Sequence, residues 1–410
     1  MNIVAVILGG GEGSRLHPLT RDRAKPAVPI AGKYRLVDMP ISNCLHGGIR
    51  KIYLLTQFNS VSLHQHVSAS YHFDAFGQRG FVRVLAAQQT PDSHAWYDGT
   101  ADAVRKTFRY LLDEQPDLIM ILSGDQLYRM NFTELIKQHM EKKADVSIAT
   151  KPVERREAGS LGILEVDEGL QIVNFVEKPG DGPELDPLRA PLEGERYLAS
   201  MGIYCFNVPV LKKLLLESDD QDFGRHIIPQ AIRDFKVCSY IFDGYWKDIG
   251  TIGSFWEANL GLTDPVPEFS FYDASAPIYT RMRYLPPSKI NCCDLTRCLL
   301  SEGSIISGHR ILHSVIGIRS VVGQDSVIEH SIVMGADYFE RKRPEGLPAL
   351  GIGRECYIHN AIIDKNVRIG DGSYITPEGK PDGTVTNDYS VRDGVIVIPK
   401  NAVIPPGTRL

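Results

Sequence analysis

Residues Ile7 to Val28 read ILGGGEGSRLHPLTRDRAKPAV, and the fold follows from how this stretch is understood. The apolar run NIVAVIL, Asn2 to Leu8, predicts a buried strand. Gly9, Gly10, Gly11 and Gly13 come next, then Arg15 and Lys25. A dinucleotide fingerprint is G-x-G-x-x-G, and Leu16 stands at its last glycine. A P-loop carries a lysine directly after its glycines, and none follows here. The physics common to both survives. Glycines after a strand expose backbone N–H groups to phosphate oxygens, and no Cβ blocks close approach. Arg15 and Lys25 add fixed positive charge. The stretch is expected to cradle a phosphate; the plainer alternative is a glycine-rich turn with solvated cations.

Working outward, residues 1–261 alternate short apolar strands with helical segments. KIYLLTQ (Lys51–Gln57) follows PISNCLHGGI, DLIMILSGD (Asp117–Asp125) follows ADAVRKTFRYLLDE, and ADVSIATKPV (Ala144–Val153) follows NFTELIKQHMEKK. This predicts an α/β, doubly wound, mostly parallel sheet. Residues 262–289 are dense in proline and read as a linker. Over 290–410 apolar pairs recur about every six residues: Ile305/Ile306, Ile311/Leu312, Val315/Ile316, Val321/Val322, Val327/Ile328 and Ile332/Val333. The spacing resumes at Ile352, Ile358, Ile363, Ile369 and Ile375, and again at Ile398 and Ile404. Gly308, Gly317, Gly323, Gly370 and Asn366 lie between. Such a period predicts a left-handed parallel β-helix with three short faces to each coil. Strands of a sandwich would alternate with period two instead. MGADYFERKRPEGLPALG, Met334 to Gly351, is expected to leave the helix as a polar loop.

Composition excludes several classes. The 410 residues are 43% hydrophobic and 23% charged, with a net charge of −5. Ample core is available, and no basic stripe offers the counterion release of a nucleic-acid binder. The seven cysteines form no C-x-x-C pair, which argues against a zinc ribbon or a disulfide scaffold. No apolar run reaches the roughly 18 residues of a membrane span. With a strand beginning at Asn2, no signal peptide is expected and a cytoplasmic location is.

Two aspartates stand where chemistry is expected. Asp125 ends the strand DLIMILSGD, and ligands of parallel sheets bind at strand carboxyl ends. Asp248 precedes a helix predicted from Thr251. Either alone reads equally well as an N-cap or turn residue. Beside a phosphate cradle they make a plausible Mg²⁺ pair, because Mg²⁺ takes one or two carboxylates plus substrate phosphates and waters. FVEKPG adds Glu177 and Lys178, the lysine a compact charge suited to a phosphate.

The motifs LGGGEGSRLHPLTRDRAKPAVPIAGKYRLVD, WYDGTADAV, ILSGDQLYRM, FVEKP, ASMGIYCF, DFGRHIIP and YWKDIGTI occur in this order. Together the set resembles the sugar-nucleotide pyrophosphorylases, and within them the ADP-glucose pyrophosphorylases (glucose-1-phosphate adenylyltransferases), over essentially the whole chain. YRL, LTQFNS, VLAAQQTP and IVMGADYFE are similar to the cyanobacterial and plant branch. The resemblance implies a Rossmann-like, GT-A-like nucleotidyltransferase domain over 1–261, a linker over 262–289 and a regulatory or oligomerising β-helix over 290–410. The implied reaction is ATP plus α-D-glucose 1-phosphate giving ADP-glucose and pyrophosphate, the first committed step toward glycogen or starch. It implies in-line transfer with Mg²⁺ and no covalent enzyme intermediate. Two polyanions must meet, so electrostatic and positional groups are expected rather than a nucleophile.

Roles follow position by position from the resemblance. Leu8, Gly9, Gly10, Gly11 and Gly13 would wrap the nucleotide, Arg15 would hold the departing pyrophosphate, and Lys25 would bridge phosphates at the reacting centre. Asp125 and Asp248 would hold Mg²⁺. Gln89 would read adenine, with Gly99 and Thr100 on the same side. Tyr97, Gly162, Glu177, Lys178 and Ser200 match glucose-1-phosphate positions. Arg23, Arg35, His66 and Arg319 match an effector anion site between the domains, and Lys365 and Lys400 match activator lysines. The activator is expected to be 3-phosphoglycerate or a fructose phosphate, and the inhibitor phosphate or an adenine nucleotide. Asp22 and Arg23 would tie the glycine loop to that site. A homotetramer is implied, with no nucleic-acid or membrane partner. Alternatives are a UDP- or dTDP-glucose pyrophosphorylase, a catalytically weak regulatory subunit of the same fold, or an acyltransferase using His309, His313, His330 or His359. The Asp222-Phe223-Gly224 triplet lacks the other kinase motifs, and His64, His66 and His72 lack the spacing of a helical metal site.

Overall fold

The computed structural model describes residues 1–73, 80–88, 95–192 and 194–410. They form two compact units. The first holds Met1–Gly11, Met39–Ser60 and His64–Trp246; the second holds Glu12–Asp38, Val61–Leu63 and Lys247–Leu410.

In the first unit the strand Ile3–Leu8 pairs in parallel with Lys51–Thr56 on one side and Leu118–Ser123 on the other. Lys51–Thr56 pairs in parallel with Phe81–Ala86. Val4, Ala5, Val6 and Ile7 are all fully buried. A strand covered on both faces needs a continuous apolar run rather than an alternating one, which is why NIVAVIL reads as it does. The strand Arg196–Asn207 runs antiparallel to Leu118–Ser123, Val146–Glu154 and Gly162–Val166, and Val237–Ile241 joins Val146–Glu154 in parallel. The expected doubly wound sheet is therefore parallel at its centre, with one long antiparallel strand extending it. The helix Thr100–Leu112 buries Ala101, Val104, Phe108 and Leu111 in one cluster with Val4, Val6, Ile119 and Ile121 of the sheet. Each such large side chain stabilises the packing by about 1.5–3 kcal/mol. Because Ile3–Leu8 has a later strand on each side, its carboxyl end is the crevice where such sheets bind ligands.

In the second unit residues 289–410 wind into a parallel β-helix. Ile306, Val322, Ile352, Ile369 and Ile404 stack on one face. Ile311, Ile328, Ile358 and Ile375 stack on the next, and Ile316, Val333, Ile363 and Ile398 on the third. These side chains form one buried cluster, so the six-residue spacing is the core of the helix read along the chain. Gly317 and Gly370 serve space rather than backbone freedom. A Cβ on Gly317 would strike the Met334 carbonyl, and one on Gly370 would strike Pro406. Turns that need a left-handed backbone use Asp325 (φ 59°), Asn366 (φ 63°) and Asn401 (φ 63°), residue types that tolerate it.

As expected, the ladder is interrupted between Val333 and Gly351. The loop folds back on the helix, Glu340 pairing with Arg368 at 2.6 Å and the Pro348 carbonyl accepting from Arg368 at 2.8 Å. A second interruption ends in a hairpin that joins Ser390–Arg392 to Val395–Ile398. Residues 263–288 carry no helix or strand among the described residues, yet Phe269 and Ile278 are buried and Phe271 stacks on Tyr34 with centroids 4.4 Å apart. Glu12–Asp38 belongs to this unit through Ile318, whose N–H reaches the Gly32 carbonyl at 3.2 Å, and through Lys33, which pairs with Glu302 at 2.7 Å.

Candidate active site

The first unit places one group of candidate residues at the carboxyl end of Ile3–Leu8. Gly9 N–H donates to Leu55 O at 2.8 Å, and Gly124 N–H to Leu8 O at 3.1 Å, which clamps the glycine turn between the flanking strands. A Cβ on Gly10 would meet only Gln57 and Tyr97, at 3.9 Å, and one on Gly11 would meet nothing within 4 Å. Neither glycine has a positive φ. The folded chain itself does not need glycine there, so the cradle is space left at the strand end. Asp125 follows the neighbouring strand Leu118–Ser123 and accepts a hydrogen bond from Ser123 Oγ. Behind it Trp246 Nε1 donates to Gln126 Oε1 at 3.1 Å. Gly202, left-handed at φ 65°, makes a bulge between Ser200 and Tyr204. Its missing Cβ points at Ser123 and Gln126, each 3.8 Å away.

A second group surrounds Glu177. Its carboxylate lies against two glycines: a Cβ on Gly162 would come within 2.8 Å of Oε2, and one on Gly224 within 3.1 Å. Lys178 Nζ stands 3.6 Å from Glu177, on a backbone with φ 51°. Ser200 hydrogen-bonds Tyr204, whose phenol burial pushes up to about 12. Tyr97 is held by Gln57, which accepts its N–H at 2.9 Å and donates to its carbonyl at 3.2 Å. The Tyr97 hydroxyl is buried without a hydrogen-bond partner, and burial pushes it up to about 12.

Some expected residues have structural duties. Gly99, at φ 99°, lies so close to Gln221 that a Cβ would strike its carbonyl. Thr100 Oγ1 donates to Asp222 at 3.2 Å and accepts from Phe223 N–H at 3.0 Å. Both tie the start of Thr100–Leu112 to the segment Gln221–Phe223. Gln89 lies outside the described residues. Gln57 and Gly224 gained no role from the sequence; the signal available was their place inside LTQFNS and DFGRHIIP.

The second unit carries Gly13, Arg15, Lys25 and Asp248. Gly13, at φ 70°, caps the short turn Ser14–Leu16, and its carbonyl accepts from Thr20 Oγ1 at 3.0 Å. Here glycine is required, since a Cβ would meet Thr20 Cγ2 at 2.9 Å and Lys25 Cβ at 3.3 Å. Asp248 Oδ2 and Arg15 Nη2 lie 2.9 and 3.3 Å from the spot a Gly250 Cβ would take. That glycine leaves room for the carboxylate of Asp248 and the exposed guanidinium of Arg15 to approach the same spot.

A nucleotidyl transferase family model matches residues 4–265. The chain belongs to the nucleotidyl transferase family. A second model, the GLGC left-handed parallel beta-helix domain, matches residues 283–408. The protein is a nucleotidyltransferase whose β-helix is left-handed, and the two domains in this order fit the sugar-nucleotide pyrophosphorylases.

The β-helix unit of this nucleotidyltransferase gathers cations around one carboxylate. Asp337 lies 3.1 Å from Lys400 Nζ and 3.7 Å from Lys365 Nζ. Burial opposes its charge, but the two lysines hold it down at about 2. Lys365 is 4% exposed, its Nζ has no hydrogen-bond partner, and burial lowers it to about 7 despite Asp337. Arg35 is held down to about 10 by burial and by Arg23, and its Nε is buried without a partner. Arg319 donates to Ala336 O at 3.4 Å. Arg283, unsuspected because nothing periodic marks its segment, acts on the charges of both Lys365 and Arg35. Cations thus outnumber carboxylates here, so the cluster suits an anion. Arg23 grips both Asp364 oxygens at 2.9 Å, whereas Asp22 pairs on the surface with Arg21 at 3.2 Å. Of the two, only Arg23 reaches the β-helix. His66 belongs to the other unit.

Three histidines of the β-helix are engaged in packing, while His309 is exposed. His313, His330 and His359 stack edge to face, with centroids 5.2 and 5.5 Å apart. Among the described residues no three His, Cys, Asp or Glu side chains group to hold a metal, and no helix is long and apolar enough to cross a membrane.

Proposed function

We propose that this nucleotidyltransferase joins ATP to α-D-glucose 1-phosphate, releasing pyrophosphate and ADP-glucose. The observation that carries the reading is the Glu177 carboxylate held against Gly162 and Gly224 with Lys178 beside it. A carboxylate accepts sugar hydroxyls and an ammonium holds a phosphate, so one corner suits a sugar phosphate. Support for adenine comes from the motifs WYDGTADA, SGDQLYRM and ASMGIY.

A phosphate oxygen of glucose 1-phosphate attacks the α-phosphorus of ATP, and the bond to the β-phosphate oxygen breaks. The open cradle at Gly10 and Gly11 brings backbone to the nucleotide, Lys178 orients the attacking phosphate, and Arg15 and Lys25 take up charge on the leaving pyrophosphate. Asp125, just after the strand Leu118–Ser123, and Asp248, at the end of the strand Trp246–Asp248, would each offer Mg²⁺ a carboxylate, and Mg²⁺ asks few protein ligands when phosphates supply the rest. When bound, Mg²⁺ neutralises phosphate charge as the transition state forms. A nucleotide panel tests the reading. ATP is expected to support pyrophosphate release from glucose 1-phosphate at least about tenfold better than UTP, dTTP or GTP, and a preference for UTP or dTTP overturns it. A homotetramer is part of the same proposal.

The cation cluster around Asp337 is read as an effector site for 3-phosphoglycerate or a fructose phosphate. Its pH dependence follows from Lys365. The free lysine is held near 7, and a bound anion raises it again, so binding takes up a proton above that pH. The half-saturating 3-phosphoglycerate concentration is expected to rise by up to about tenfold between pH 7.5 and 8.5, and Lys365→Gln to flatten the rise. A pH-independent affinity in the native enzyme would count against the assignment.

A further inference from the structure

We propose that Asp393, in the inserted hairpin of the β-helix, is a positioning residue for Asp248, acting through the loop 249–251 that follows it. The proposal rests on the reading of Asp248 as a metal-binding carboxylate. The helix Ile252–Gly261 starts directly after that loop, and its first N–H groups need partners outside the helix. Thr251 supplies one: its Oγ1 accepts from Ser254 N–H at 3.1 Å, and Ser254 Oγ accepts from Thr251 N–H at 3.0 Å. Gly253 N–H is taken instead by Asp393 Oδ2, at 2.8 Å, from 140 residues further along the chain.

The contact is built from both sides. A Cβ on Gly253 would meet Asp393 Cβ at 2.9 Å and Oδ2 at 3.1 Å, so only glycine lets the carboxylate reach the N–H. Asp393 (φ 54°) and Gly394 (φ 72°) are both left-handed and form the two-residue turn joining Arg392 to Val395, a geometry that Asp-Gly favours. The turn aims the carboxylate. Further along, Trp256 Nε1 donates to His330 O at 2.9 Å, and Asn259 Oδ1 accepts from Ala31 N–H at 2.9 Å. The helix is therefore gripped along its length, and Asp393 grips the end nearest Asp248. Releasing that end shifts Asp248 against Arg15 across Gly250.

Two substitutions separate this role from the turn itself. Asp393→Gly keeps a Gly-Gly turn and loses the acceptor; Asp393→Asn keeps both. In Asp393→Gly, kcat for pyrophosphate release is expected to fall about tenfold, with KM for glucose 1-phosphate within about twofold, and Asp393→Asn is expected to restore it. In metal-free protein, amide exchange over residues 249–258 is expected to quicken about fivefold in Asp393→Gly and to stay native in Asp393→Asn. Gly253→Ala should reproduce the loss from the other side, although alanine by itself strengthens a helix. Native exchange over 249–258 in Asp393→Gly, or a kcat loss that Asp393→Asn does not recover, overturns the proposal. If the native protein releases no pyrophosphate, the functional reading fails, and exchange in the metal-free protein still decides whether Asp393 holds the helix.

Discussion

Asp125→Asn is expected to lower pyrophosphate release from ATP and glucose 1-phosphate by at least about 10²–10³-fold, with the melting temperature unchanged. Asparagine matches aspartate in shape and keeps an oxygen to accept from Ser123 Oγ, so the strand end should hold its form. What it loses is the negative charge that, in the proposed function, draws a cation to the reacting phosphates. Asp125 follows a strand whose buried residues Leu118 to Leu122 hold the sheet, and it contributes nothing to that packing. A large loss of rate without loss of stability is the signature of a group spent on charge. Full turnover by Asp125→Asn would refute the metal role.

Arg23→Met is expected to be the most destabilising single change in the second unit. The side chains of Arg23 and Asp364 are 2% and 1% exposed. The guanidinium meets both carboxylate oxygens at 2.9 Å and also donates to Leu19 O at 3.1 Å. Removing the arginine strands a carboxylate out of water, which costs about 3–5 kcal/mol, or on the order of 10 °C in melting temperature for a unit of this size. Replacing both partners, as in Arg23→Met with Asp364→Leu, removes the stranded charge and should recover most of the loss. A single variant that melts with the native protein, or a double variant no better than the single, would show that the pair does not hold the loop. The same change should slow pyrophosphate release, because Arg23 lies between Arg15 and Lys25 on one segment.

Parts of the site were legible because their signals are local. A strand followed by glycines announces an open turn at the strand's carboxyl end, and a strand running into Gly124-Asp125 announces a carboxylate at the same end of the sheet. Equivalence among the glycines was not legible. Gly10 and Gly11 leave open space, Gly13 is required by a left-handed turn, and Gly99 is required by the carbonyl of Gln221. Gln57 likewise gains its role only when the fold brings it to the backbone of Tyr97. The resemblance marks Lys365 as an activator lysine, but only the coils of the β-helix show that it is buried.

By itself the sequence determined two architectures and their order. Strand and coil both follow from apolar periodicity, and periodicity is a property of neighbouring residues. Only the tertiary structure decided that Glu12–Asp38 packs in one compact unit with the β-helix, that Arg23 closes on Asp364, and that Asp393 reaches Gly253. Those partners lie at least 140 residues apart, and no local pattern encodes them. Arg23 and Asp364 pair because burial strips water from both charges and packing chooses the partner that replaces it, whereas Asp393 meets Gly253 at the surface because the hairpin turn aims it there.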